Sequence, residues 1–163
     1  MIADKLDIIN DAEIVNIIYE TFKSLDLAKF TICINNRKIL NGFFEYLGLA
    51  DKKVEVLRII DKVDKIGENA MKEELGHLDV ALDKIDKICQ FILISGTTDE
   101  KIAKLKNMVV ENEIFAEGLI ELEKVAKYVK DFGIPENCFK IDLKIARGLD
   151  YYTGTVYETF FDE

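Results

Sequence analysis

The residues best suited to bind a substrate or to take part in catalysis lie together near the C-terminal end of the sequence. Residues 147–158 are Arg-Gly-Leu-Asp-Tyr-Tyr-Thr-Gly-Thr-Val-Tyr-Glu. The guanidinium of Arg147 offers five donors in a planar fork and stays charged at every accessible pH. Such a group suits carboxylate or phosphate oxygens, and above all negative charge that develops in a transition state. The segment 147–158 therefore predicts a site for an anionic substrate.

Two adjacent tyrosines add a second kind of chemistry to this segment. In a locally extended backbone Tyr151 and Tyr152 point to opposite sides, so one ring can line a pocket while the other offers a hydroxyl. Gly148 and Gly154 allow close approach of a ligand to the backbone. Composition alone leaves an alternative open, namely an ordinary β-turn with an exposed arginine and two half-buried tyrosines.

Strands on both sides are expected to position this segment. Apolar and polar residues alternate from Phe139 to Ala146 and again from Thr155 to Phe160, which is typical of half-buried strands. A third alternating run begins at Phe30 and ends at Asn35. A helix that opens on a capping box, with Asn10 as N-cap and Glu13 at N3, precedes this third run. A second helix follows it and ends at Gly48.

The middle of the chain is almost purely helical in its periodicity, from Asp51 to about Gly133. It includes a second capping box at Thr97–Glu100 and a long amphipathic helix that ends at Gly133. The sequence thus predicts an α+β fold that is predominantly helical. We expect three parts: core elements at 1–50, a helical insertion at 51–136, and core strands that carry the polar segment at 137–163.

Composition excludes several classes of function. The 163 residues carry a net charge of −9, which argues against a general nucleic-acid-binding module while leaving small basic groups such as Arg37 and Lys38. No apolar run is long enough to cross a bilayer. Cys33, Cys89 and Cys138 are widely spaced, so we interpret them as reduced thiols.

Two further candidate sites favour structural interpretations. His77 is the only histidine and has acidic neighbours, but a solvated helix surface explains it better than a metal site, so no metal is predicted. Residues 35–38, Asn-Asn-Arg-Lys, lie where a strand passes into a helix. A helix N-terminus can bind an anion, yet capping by Asn35 or Asn36 is a sufficient explanation.

The segment 147–158 closely resembles the histidine-binding signature of histidyl-tRNA synthetases, a class II aminoacyl-tRNA synthetase family. The family's signature usually ends in Val-Phe-Glu, so Tyr157 is a conservative departure. Two more stretches agree in the expected order. Residues 11–14 and 30–40 resemble the region after the family's second class motif, and residues 61–66 fit its recurring Asp-Lys-x-Asp-Lys helix.

The resemblance implies an enzyme that activates histidine with ATP and transfers the histidyl group to tRNA(His). It places Arg147 beside the histidine carboxylate and the α-phosphate, and Tyr151 and Tyr152 in the wall of the histidine pocket. It also implies the antiparallel sheet of a class II core and a helical insertion that approaches the tRNA(His) acceptor stem. The full-length enzyme is expected to use ATP and Mg²⁺, to form a homodimer and to be cytoplasmic.

The resemblance further implies that this chain is a central fragment. The first two class motifs are expected before Met1, and the third motif and an anticodon-binding domain after Glu163. We therefore expect the chain alone to be inactive and to bind no cofactor. One alternative is the synthetase-like regulatory subunit of ATP phosphoribosyltransferase, although its insertion is typically reduced and its signature degraded. The other is a helical module that binds RNA or protein without catalysis.

Overall fold

A computed structural model describes residues 7–27, 29–146 and 152–161. Most of these residues are helical, and a small sheet accompanies the helices, which confirms the predominantly helical α+β fold. The helices are α1 (Ile9–Ser24), α2 (Arg37–Tyr46), α3 (Lys53–Ile60), α4 (Val63–His77), α5 (Leu82–Ile92), α6 (Thr98–Asn107) and α7 (Glu113–Asp131). The strands are β1 (Phe30–Asn36), β2 (Phe139–Ile141) and β3 (Thr155–Phe161). Within the described ranges, no helix is both long enough and apolar enough to span a membrane.

The sheet is mixed, with strand order β2-β1-β3. β3 runs antiparallel to β1, and Ile34 is paired with Tyr157. β2 runs parallel to β1, and Ile32 is paired with Phe139. The parallel pair has a topological cause, because the chain returns from β1 to β2 through the whole helical middle. The antiparallel pairing expected for a class II core is present between β1 and β3 but not between β1 and β2.

The strand predicted for 139–146 is shorter in the structure. β2 ends at Ile141, and the chain then turns because Asp142 accepts a hydrogen bond from the backbone of Lys144 through Oδ1 (3.1 Å) and from Ile145 through its carbonyl (3.3 Å). An aspartate that bonds its own backbone two residues on favours a turn over a strand. The strands predicted around 30–35 and 155–160 are confirmed.

Several helix boundaries follow local capping chemistry, and one predicted cap is not formed. Thr97 and Glu100 form the expected reciprocal capping box at the start of α6, and Gly48 and Gly133 have φ of +64° and +80° just after α2 and α7. The capping box predicted at Asn10 is wrong. The helix α1 already begins at Ile9, whose backbone N–H donates to Asp7 Oδ1 (3.2 Å), so Asn10 lies inside the first turn.

The helices and the sheet share a continuous apolar core. Phe30, Ile32 and Ile34 of β1 are buried in it together with residues of every helix from α1 to α7. The helix α7 packs against α1, α2 and β1. The division of the chain at residues 51 and 136 remains a prediction.

Candidate functional site

Of the three predicted site residues, Tyr152 is the one that the structure describes; Arg147 and Tyr151 lie outside the described residues. Tyr152 is 53% exposed. It borders an open cleft of about 500 Å³ that has polar side chains from α1, α2, α7 and β3. Its lining includes Asp11, Lys38, Glu121, Thr155 and Tyr157.

The chain leaves the sheet before Arg147 along residues 143–146, here called the first limb. It returns to β3 along residues 152–154, the second limb. Asn35, fully buried at the end of β1, holds the first limb: its Nδ2 donates to the carbonyl oxygens of Leu143 (3.2 Å) and Ile145 (3.0 Å). Its Oδ1 accepts from the backbone of Asn36 (2.8 Å), which fixes the orientation of the amide.

Arg37 holds both limbs. The residue is 1% exposed, and its Nη1 donates to the carbonyl oxygen of Ala146 (3.1 Å), the last described residue before Arg147. Its backbone N–H donates to the carbonyl oxygen of Gly154 (2.8 Å), at the other end of the segment. One residue at the first position of α2 thus joins residues 146 and 154.

The next two side chains tie the same corner to α7. Asn36 caps α2, because its side chain accepts from Lys38 N (2.9 Å), while its Nδ2 donates to Glu121 Oε2 (2.9 Å). Lys38 Nζ lies 2.6 Å from both Glu117 Oε1 and Glu121 Oε1. Burial alone would lower the pKa of Lys38, but the two carboxylate hydrogen bonds raise it above its ordinary value. The interpretation of residues 35–38 as a capped helix start is confirmed for Asn36.

The strand that follows the second limb is tied to α1. Thr155 Oγ1 donates to Asp11 Oδ2 (2.6 Å), and the Tyr157 hydroxyl donates to the backbone carbonyl of Asp11 (2.8 Å). Burial, with the nearby Asp11 carboxylate, raises the pKa of Tyr157 well above its usual range. The hydroxyl therefore stays a donor at any ordinary pH.

The chemistry available from the described residues is that of binding and orientation. They contain no group of three His, Cys, Asp or Glu side chains able to hold a metal ion. Burial raises the pKa of the Cys33 thiol to about 11, so this sulfur stays protonated and is a poor nucleophile. The cleft beside Tyr152 offers instead a lysine, three carboxylates and hydroxyl groups.

The sequence patterns marked residues 35–38 as a capped helix start, but they did not predict that Asn35 and Arg37 bind residues 143–146. A helix cap explains a polar residue at the end of a strand, so the two side chains carried no separate signal. The feature of the sequence that could have indicated this role is the cluster of polar residues, since two asparagines and an arginine directly follow an apolar run. Polar groups at such a position are buried at a cost unless they have partners elsewhere in the chain.

Known proteins of one family are similar to this chain over nearly its whole length. A family model described as histidyl-tRNA synthetase matches residues 3–163. The histidine–tRNA ligase of Clostridium tetani is 59% identical over 154 residues, which cover 94% of this chain and 35% of the relative. That of Finegoldia magna is 49% identical over 161 residues, covering 98% and 37%. The chain thus spans about a third of the length of these relatives.

Solved structures show the same fold. The histidyl-tRNA synthetase from Nostoc sp. PCC 7120 superposes with a TM-score of 0.93 at 42% identity, over 97% of this chain and 38% of that one. An ATP phosphoribosyltransferase regulatory subunit/histidyl-tRNA synthetase from Bacillus halodurans superposes with a TM-score of 0.81 at 17% identity, over 98% and 41%. The second likeness shows the fold alone. On the family model and the highly identical relatives, the chain belongs to the histidyl-tRNA synthetase family.

Proposed function

We propose that the whole protein containing this chain is a histidine–tRNA ligase. The observation that carries the proposal is the similarity to ligases of that name, at up to 59% identity, together with the match of the family model to residues 3–163, which include the segment 147–158. The fold supports it, because both limbs of that segment are held by buried hydrogen bonds at the end of β1. A segment fixed at its base is suited to place side chains with accuracy.

The proposed reaction has two steps. A carboxylate oxygen of histidine attacks the α-phosphorus of ATP, the bond to the bridging oxygen breaks, and pyrophosphate leaves. A hydroxyl of the terminal ribose of tRNA(His) then attacks the histidyl carbonyl, and AMP leaves with the bonding electrons. Arg147 would stabilise the negative charge that builds between the carboxylate and the α-phosphate.

Tyr151 and Tyr152 would supply specificity in the same site. A tyrosine hydroxyl that bonds the imidazole discriminates against side chains of similar size that lack a polar atom, because its own group would then be left without a partner. The exposure of Tyr152 in this chain leaves its ring accessible to a substrate or to further parts of the protein. The resulting selection for histidine would be largest in kcat/KM.

ATP and Mg²⁺ would be held mainly by residues outside this chain. The described residues do not offer a carboxylate cluster that fits Mg²⁺. We therefore assign to this chain the histidine side of the site and no step that depends on the ion. The sheet would be completed by further strands of a class II core.

We also propose that residues 51–136 approach the acceptor stem of tRNA(His), and that the protein is a cytoplasmic homodimer. Several lysines of the helical middle already have hydrogen-bond or ion-pair partners within the chain. Lys52 and Lys101 donate to the carbonyls of Leu78 and Ile141 (both 2.6 Å), and Lys130 pairs with Asp99 (2.6 Å). Any contact with RNA would thus depend on few phosphates and on the rest of the enzyme.

The two alternatives are weaker for separate reasons. The regulatory-subunit fold is shared, but at 17% identity in the Bacillus halodurans structure compared with 59% for the Clostridium tetani ligase. An independent RNA-binding module conflicts with the charge of −9 and with the internal pairing of those lysines. Neither alternative accounts for the intact segment 147–158.

Histidine-dependent exchange between ATP and pyrophosphate in the purified full-length protein tests the proposal. We expect exchange with histidine and none with other amino acids. Arg147→Ala should lower its kcat by about 100- to 1000-fold, the scale for removing one transition-state donor. The 163-residue chain alone should show none. A full-length protein without exchange that instead stimulates an ATP phosphoribosyltransferase would establish the regulatory alternative.

A further inference from the structure

The end of β1 and the first turn of α2 make more hydrogen bonds than capping of a helix requires, and the additional bonds go to residues 143–146 and 154. Capping needs one side-chain oxygen, and Asn36 supplies it. Asn35 and Arg37, on either side of it, direct their donors away from α2 and onto carbonyl oxygens of residues 143–146. These bonds join positions more than a hundred residues apart in the sequence.

We propose that Asn35 and Arg37 are positioning residues for histidine binding, acting through the two limbs of the segment that carries Arg147, Tyr151 and Tyr152. This inference rests on the proposed ligase function. Neither residue need touch a substrate. Asn35 fixes the first limb at Leu143 and Ile145, and Arg37 fixes the last residue of each limb, Ala146 and Gly154.

The geometry explains why two residues are needed. β2 and β3 lie on opposite sides of β1, so the two limbs belong to different edges of the sheet. β1 is the element between them, and its end at Asn36 is paired with Thr155. Arg37 follows directly and reaches residue 146 through its side chain and residue 154 through its backbone. Arg37 thus links the two limbs to each other, and Asn35 adds a second attachment to the first limb.

Burial makes this arrangement specific. Asn35 and Arg37 are 0% and 1% exposed, so a lost hydrogen bond there is not replaced by water. Asn35 uses both its amide donor and its acceptor, and an aspartate in its place would set oxygen against two carbonyl oxygens. The limb would then shift, and a shift of about 1 Å at a reacting group can cost on the order of a hundredfold in rate.

The test compares variants in the full-length protein. Asn35→Asp keeps the size of the side chain, and Arg37→Lys keeps its charge. Leu75→Ala is the matched control, because Leu75 is fully buried in α4 and has no part in the limbs. Histidine-dependent ATP–pyrophosphate exchange gives KM for histidine and kcat, aminoacylation gives KM for tRNA, and thermal denaturation gives the loss of stability of each variant.

We expect Asn35→Asp and Arg37→Lys to raise KM for histidine or lower kcat by about 10- to 100-fold. KM for tRNA should stay within about twofold, and Arg37→Met should be more severe than Arg37→Lys. Leu75→Ala should lose stability while its KM for histidine is unchanged. Equal kinetic effects in all variants after matching for stability would overturn the inference.

Hydrogen exchange separates this inference from the proposed function. In Asn35→Asp the amides of the first limb, 143–146, should exchange faster, and in Arg37→Lys those of both limbs should, while the amides of α4 and α5 keep their protection. A wild-type protein without histidine-dependent exchange would refute the ligase function, and with it the role in histidine binding. Unchanged protection of both limbs in an active protein would refute the positioning role alone.

Discussion

The end of the sheet and the helical middle are stabilised by different kinds of contact. Among the described residues, the buried polar and charged side chains are Asn35, Asn36, Arg37 and Thr98. Three of them are consecutive where β1 passes into α2, and none lies in α3, α4 or α5. Apolar packing tolerates small shifts between elements, whereas a satisfied polar network fixes one arrangement. The relative positions of the chain segments are therefore fixed most precisely beside the proposed site.

Helix packing differs in the same way. At the crossing of α2 and α7 the backbones approach closely: a Cβ on Gly118 would lie 2.7 Å from both Ile39 N and Lys38 Cβ, and one on Gly42 would collide with the backbone of Phe115. The glycines of α4 have no neighbouring atom within 4 Å of such a Cβ. Close contact therefore holds α7 beside the helix that carries Arg37, and α4 is under no such constraint.

The largest expected effect comes from filling that close contact. Gly118→Ala should destabilise the chain by about 3 kcal/mol, because one of the atoms that it meets belongs to the backbone of α2 and cannot rotate away. Urea denaturation of the 163-residue chain measures the change. The matched control is Gly76→Ala in α4, which should stabilise by about 0.5–1 kcal/mol. Equal effects of the two substitutions would remove the contrast between the regions.

The next largest effect on stability comes from a backbone conformation inside α4 that favours glycine. Gly67 interrupts α4 with φ 81° and ψ 163°, a region that is essentially restricted to glycine. Gly67→Ala should cost about 1–3 kcal/mol although nothing lies within 4 Å. Circular dichroism with thermal denaturation checks this. If the variant is as stable as the wild type, α4 can run straight through residue 67.

The sequence predicted those parts of the fold that depend on local chemistry. The capping box at Thr97, the glycine stops at Gly48 and Gly133, and two of the three strands needed only side-chain period and turn residues. Period also suggested a strand up to Ala146. The turn at Asp142 ended it early, because one carboxylate bond to the backbone outweighed the apolar alternation.

Partners distant in the sequence could not be predicted in this way. The roles of Asn35 and Arg37 depend on carbonyl oxygens about 110 residues further along, and backbone carbonyls leave no signature in a sequence. The strand order has the same cause, since nothing local fixes β1 between β2 and β3. The signature itself was found by its resemblance to a family, and its catalytic roles remain predictions.

Substitutions at the starts of α6 and α1 test how much a side-chain cap contributes to the free energy of unfolding at each helix. Thr97→Ala should destabilise by about 1 kcal/mol, because it removes the acceptor of the Glu100 N–H and opens the reciprocal box. Asn10→Ala should change stability by no more than a few tenths of a kcal/mol, since Asn10 caps nothing. Chemical denaturation of both variants side by side gives the two values. A larger loss at Asn10 would restore the capping box there.

Tyr157 stands where the resemblance to the family predicts a phenylalanine, and it gives the smallest effect. Tyr157→Phe removes the hydrogen bond to the Asp11 carbonyl and should cost about 0.5–1 kcal/mol at neutral pH. Burial raises the pKa of the hydroxyl in the folded state above its ordinary value of about 10, so folding favours the protonated form. Its contribution is complete below pH 10 and is lost as the pH rises further, because the unfolded chain then releases the proton first. Wild type should thus lose stability more steeply than Tyr157→Phe between about pH 10 and 12. Parallel curves over that range would show that the hydroxyl titrates as it does in the unfolded chain, and that β3 is not tied to α1 through it.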